Sequence, residues 1–196
     1  MISFSISATL LGSPGFAIKN NIIRWSVQKS STLRITGKTT LAGFGCDITG
    51  YYQADTIIYI ENDDRNRIVP LKGSLNIGIH SFDCHNKILT NDLRKTLKAT
   101  EYPTFIVRFV ALERMPVLEL NKDVVKGWID IELAGVCKRF EIFYEIQKAE
   151  LGIQLNGNRS FCFSDFKLVP PKKLGGIIKV KDDFQVDFKL ALNQIK

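Results

Sequence analysis

Phe140-Glu141-Ile142-Phe143-Tyr144-Glu145-Ile146 is the stretch on which the fold turns. Its bulky apolar residues recur at 140, 142, 144 and 146, with glutamates at 141 and 145 between them. A period of two sends successive side chains to opposite faces of an extended chain, so the stretch reads as a strand with one face in a core. A helix would instead repeat its apolar residues at spacings of three and four.

The same alternation extends in both directions. Upstream it runs through Ile129, Ile131 and Leu133, through Phe105, Val107 and Phe109, and through Leu75, Ile77 and Ile79. Ile57 to Ile60, Phe44-Cys46-Ile48, Leu33-Ile35 and Trp25-Val27 continue it toward the start. Downstream come Phe161 and Phe163, then Phe184, Val186, Phe188 and Leu190. Valine, isoleucine, threonine and aromatics suit a pleated, half-buried surface. Asn156-Gly157 predicts a tight hairpin. Glu61 to Arg67, Pro170-Pro171-Lys172-Lys173 and Gly175-Gly176 read as loops.

Residues 89–100, LTNDLRKTLKAT, break the pattern. Leu93 and Leu97 lie four apart, Thr90 or Asn91 offers a cap, and Lys95 and Lys98 sit late, where the helix dipole favours cations. One short amphipathic helix is expected, stopped before Tyr102-Pro103. One helix with about eight or nine strands points to a closed barrel or a sandwich; closure removes the sheet edges that invite aggregation.

A chain of 196 residues suits one domain with a sizeable core. No apolar run reaches the roughly 18 residues of a membrane-spanning helix. The net charge of +7 comes from lysines and arginines scattered along the chain, which gives no support to nucleic-acid binding. Residues 1–17 are apolar and small and end in Gly15-Phe16-Ala17, but carry no basic start. They read as a signal peptide or as an ordinary N-terminal segment, with the domain over 18–196.

None of the four cysteines forms a C-x-x-C unit. In an exported protein, the strand-end positions of Cys46 and Cys84 suggest one disulfide, and Cys137 with Cys162 a second. In a reducing compartment all four would serve as small apolar residues. His80, Cys84 and His85 form the one metal-like cluster, which keeps open a small metal- or haem-linked redox partner; no second ligand pair follows at zinc spacing. Gly37-Lys38-Thr39 lacks the upstream glycine of a phosphate loop, since Thr32 stands there. Catalysis finds no support: no G-x-S-x-G elbow occurs, and neighbours such as Cys84 and His85 point apart on a strand. No catalytic residue, metal site or cofactor is expected.

Four blocks resemble the YceI-like family of polyisoprenoid-binding proteins. They are Trp25-Ser26-Val27 with Ser31-x-Leu33-x-Ile35-x-Gly37; Phe82-Asp83-Cys84 with the helix and Tyr102-Pro103-Thr104-Phe105-Ile106; Gly127-x-Ile129-x-Ile131-x-Leu133-Ala134-Gly135; and Ser164-Asp165-Phe166-Lys167-Leu168 leading to Val186-Asp187-Phe188. Their order and spacing are similar to a Bacteroidetes-like branch. Thr39-Thr40 and Cys137 depart from the family's usual residues.

The resemblance implies an all-β fold: a single extended, eight-stranded antiparallel lipocalin-like barrel with one short helix. It implies a long apolar cavity holding an isoprenoid, a quinone or a similar lipid, outside the cytoplasm, either periplasmic or secreted. Alternation nominates Leu33, Ile35, Leu75, Ile77, Phe105, Val107, Phe109, Ile131, Ile142, Phe161, Phe163 and Phe188 for the cavity wall. Arg108, Lys172 and Lys173 are candidates for an anionic headgroup. The expected protein is a non-enzymatic carrier, monomer or homodimer, with at most transient membrane contact. A stress-related structural barrel with no ligand is the other alternative.

Overall fold

A computed structural model describes residues 21–49, 51, 53–61, 67–119, 121–173 and 177–195. The expectations for residues 1–17, for most of the 61–67 loop and for Gly175-Gly176 lie outside the described residues. Among the described residues twelve strands form in chain order: β1 (Asn21–Val27), β2 (Thr32–Thr39), β3 (Gly43–Thr49), β4 (Thr56–Glu61), β5 (Val69–Lys72), β6 (Ser74–Gly78), β7 (Thr104–Leu112), β8 (Asp123–Leu133), β9 (Val136–Ala149), β10 (Gly152–Cys162), β11 (Lys172–Lys173) and β12 (Ile178–Ile195). The helix α1 (Lys87–Thr96) sits between β6 and β7.

The pairings close a ring. β1 pairs β4 and β12, and β2 pairs β3 and β12. β1 and β2 are thus two halves of one bent staircase strand, as are β3 and β4. β5 and β6 both pair β7 and are split at Gly73, whose φ of +140° and 2.3 Å approach of a would-be Cβ to the Thr56 carbonyl leave room for no side chain. Counted this way the barrel has eight antiparallel strands, with β11 as a short flap on β12. An isolated bridge, Asp47 to Asp83, ties β3 to the chain after β6. Inward positions alternate: Phe105 and Phe109 on β7, Ile129 and Ile131 on β8, Ile142 and Tyr144 on β9, Phe184 and Leu190 on β12 are all buried.

Two expectations about local structure need correction. Asn156-Gly157 is not a turn. It lies mid-strand in β10, with Gly157 opposite Tyr144 on one side and Phe188 on the other. The hairpin falls earlier, at Glu150-Leu151, where Ala149 pairs Gly152. Gly157 serves space, not turning: a Cβ there would sit 2.3 Å from Cζ of Phe188, whose ring covers the glycine. The helix expected at 89–100 runs instead from Lys87 to Thr96. Its cap is Asn86, whose Oδ1 accepts from the amides of Ile88 (2.9 Å) and Leu89 (3.1 Å). Thr90 turns back to accept from the Cys84 amide at 3.0 Å, and Lys98 adopts a left-handed φ of 54° that stops the helix.

Candidate ligand cavity

A cavity of 120 Å³ runs through the barrel between α1 and the middle of the long strands. Every wall candidate named from the sequence borders it. β2 contributes Leu33 and Ile35, β6 Leu75 and Ile77, and β7 Phe105, Val107 and Phe109. Ile131 comes from β8, Ile142 from β9, Phe161 and Phe163 from β10 and the turn after it, and Phe188 from β12. Leu93 and Leu97 of α1 add to the wall from above. The wall is almost wholly hydrocarbon, so the void suits an apolar guest.

Two further voids adjoin it. One of 60 Å³ lies under α1 and shares Leu93 and Phe163 with the main cavity. Another of 50 Å³ lies by Trp25 and Met115 and shares Phe109 and Tyr144. Val180 borders the first and Leu192 the second, so they sit toward opposite ends of β12. The main cavity thus shares Leu93 and Phe163 with one neighbouring void and Phe109 and Tyr144 with another.

Two hydroxyls of the wall are engaged. Ser31 Oγ accepts from the Ala191 amide at 3.1 Å. Tyr51 donates its hydroxyl to Asp55, and the same hydroxyl accepts from the Asn76 amide at 3.1 Å. Burial, then the Asp55 hydrogen bond and charge, push the Tyr51 phenol well above its ordinary range, and burial alone does the same for Tyr144. Both stay neutral across physiological pH.

The headgroup candidates fare differently. Arg108 faces away from the cavity, where its Nη2 meets Glu132 Oε2 at 2.6 Å across the β7–β8 ladder. Alternation explains this: Val107 and Phe109 take the inward face, so the residue between them points out. Lys172 is exposed on β11 and does not border the main cavity. The Lys173 side chain lies outside what is described. The cation that does reach the wall is Arg159 of β10. Flanked by Asn158 and Ser160, it reads as a solvent-facing arginine. Its parity with Leu155 and Phe161 is the signal that marks it as inward.

Cys46 and Cys84 are joined by a disulfide beside the Asp47–Asp83 bridge, at the foot of α1. The second expected disulfide does not form: Cys137 and Cys162 are both free thiols. Both lie off the inward parity of their strands, and the β9–β10 ladder has already ended at Tyr144 and Gly157. Burial, with the charges of Asp182, Asp165 and Asp183, raises the Cys162 thiol and keeps it protonated. The disulfide also removes the Cys84 sulfur from any metal cluster with His80 and His85. His85 Nε2 is engaged with Asp47 Oδ2 at 2.8 Å, and His80 is exposed on a 3₁₀ turn. Among the described residues, no group of three or more potential metal ligands gathers, and no helix is long and apolar enough to cross a membrane.

No protein-family model matches the chain, and no curated protein matches it in sequence. Solved structures do. BcnA of Burkholderia cenocepacia superposes with a TM-score of 0.60 at 15% identity, over 82% of this chain and 94% of that one. A polyisoprenoid-binding domain from Saccharophagus degradans, implicated in plant cell wall breakdown, gives 0.59 at 13% identity, over 86% and 97%. The YceI protein of Campylobacter jejuni gives 0.52 at 19% identity, over 76% and 85%. Identities this low speak to architecture, and on architecture they agree: the chain has the fold of the YceI barrels.

Proposed function

We propose that this protein is a non-enzymatic carrier that holds one long apolar molecule, a polyisoprenoid, an isoprenoid quinone or a similar lipid, inside its barrel. The observation that carries the reading is the apolar cavity walled by leucine, isoleucine, valine and phenylalanine, with Leu93 and Leu97 of α1 completing the wall. Burying a tail there gains about 0.8 kcal/mol per methylene, so a few prenyl units offset the cost of association. The polyisoprenoid-binding domain among its structural neighbours supports the same ligand class. The Cys46–Cys84 disulfide suits an oxidising compartment, and we place the protein in the periplasm or outside the cell. There it would sequester its guest or move it between membranes through water.

Native mass spectrometry followed by solvent extraction tests this on protein purified from a bacterial host. A co-purified mass that extracts into organic solvent as a prenyl, quinone or similar long-tailed lipid is the expected result. An apo mass that gains nothing on incubation with prenyl lipids would leave a structural barrel with a filled core.

A further inference from the structure

Among the described residues, Arg159 is the one formally charged residue in the wall of the main cavity. Its setting is unusual in three ways. First, its Nε is buried and has no hydrogen-bond partner. Second, its guanidinium lies against a pair of rings, 5.3 Å from the Phe140 centroid and 5.8 Å from that of Phe161, within reach of a cation–π contact with each. Third, it sits where two strands part. The β9–β10 ladder runs from Ala149 and Gly152 to Tyr144 and Gly157 and then stops. Beyond that point Arg159 Nη1 reaches across to donate to the Glu141 carbonyl at 2.5 Å, and the 3₁₀ turn Phe163–Phe166 fills the wedge.

A guanidinium carries five N–H donors and no acceptor. One is spent on the Glu141 carbonyl, the Nε donor is buried without a partner, and the residue borders the cavity. The nearby carboxylate of Asp165 does not serve that donor. It is engaged by Lys138 Nζ and by the Cys162 amide at 2.9 Å. A buried donor without an acceptor is costly, and an ionised one more so. The natural complement is an acceptor brought by the guest.

Charge fixes its chemistry further. The wall supplies one positive charge, and its other polar groups, the hydroxyls of Ser31, Thr32, Tyr51 and Tyr144, are neutral. A diphosphate carries more negative charge than one guanidinium neutralises, and must be stripped of water to enter. A carboxylate carries one charge and two oxygens that fit the planar fork of an arginine. We propose that Arg159 anchors the head of a long-chain carboxylic acid inside the barrel, at the β9–β10 wedge, and that single-tailed carboxylates are the preferred guests. The proposal rests on the barrel being a lipid carrier.

The test compares cis-parinaric acid, its methyl ester and geranylgeranyl diphosphate by fluorescence titration, the last by displacement, on the full chain and on Arg159→Met. The wild type should bind the acid at least tenfold more tightly than the ester. In Arg159→Met that preference should vanish while ester affinity holds. Equal binding of acid and ester by the wild type overturns the anchor and leaves the carrier standing. Tighter binding of the diphosphate than of the acid overturns the charge match. No binding of any of the three sinks the anchor and the carrier together. Should Arg159→Met fail to fold, the acid-to-ester ratio of the wild type alone decides.

Discussion

Asp123 opens β8 with Arg114 forked onto it, Nη1 to Oδ2 and Nη2 to Oδ1 both at 2.7 Å, while the Val117 amide donates to Oδ2 at 2.8 Å. The Arg114 hydrogen bond, aided by that amide, holds this carboxyl down to about 2. A depressed folded-state value stabilises the fold above the ordinary carboxylate value of about 3.9 and loses that contribution as pH falls through the folded value. The loss should be on the order of 2 kcal/mol between pH 4 and the acid limit near 2, since a tenfold change in proton affinity is worth about 1.4 kcal/mol. Urea unfolding across that range checks it, and Asp123→Asn should flatten the slope. Arg108 is the opposite case. Its ion pair with Glu132 is more than 40% exposed on both sides. Arg108→Ala should therefore shift stability by less than about 1 kcal/mol and leave lipid uptake unchanged. A loss of uptake in that variant would return Arg108 to the site. Gly157→Val places a branched side chain where the Phe188 ring lies, and a loss of about 1–3 kcal/mol in thermal or urea unfolding is expected.

At the scale of elements, α1 is fastened by a few specific ties. Asn86 caps it, Arg94 Nη2 bonds the carbonyls of His80 (2.7 Å) and Phe82 (3.2 Å), and the Cys46–Cys84 disulfide anchors the segment before it to β3. With the cysteines 38 positions apart, loop-closure entropy assigns that link about 3–4 kcal/mol. Cys46→Ala with Cys84→Ala should lower stability by that order and speed hydrogen exchange across residues 85–97 more than in β8 or β9. Equal protection in both forms would show that the helix is held by packing alone. The strands are legible in the sequence because each keeps one apolar face, so Phe105 to Phe109 and Phe140 to Ile146 declare their parity. Asn156-Gly157 misleads because a glycine that makes room for a ring looks the same in sequence as one that turns the chain. The start of α1 escapes a sequence reading because Asn86 precedes the periodic leucines by several residues. Arg159 is hidden by polar neighbours, although its parity with Phe161 is there to be counted. The bending of β1 into β2, β3 into β4 and β5 into β6 is unreadable, since pairing partners far along the chain decide it.

For the whole molecule the question is whether the interior is hollow by function or merely loosely filled. Val186 borders the main cavity on β12 and is only half-buried. Val186→Phe adds bulk into the void. In a hollow barrel the melting temperature should hold to within a few degrees while lipid uptake falls at least tenfold; in a filled core the same change should overpack and destabilise by about 1–3 kcal/mol. A fluorescent lipid titration beside a thermal melt separates the two.

The shared side chains inside the barrel have a consequence for selectivity by length. A tail longer than the main void meets Phe109 and Tyr144, or Leu93 and Phe163, the pairs that line both that void and its neighbour. Affinity plotted against carbon number should then climb, pause at each pair and climb again, so that the protein grades its guests as a stepped gauge and not as a smooth solvent.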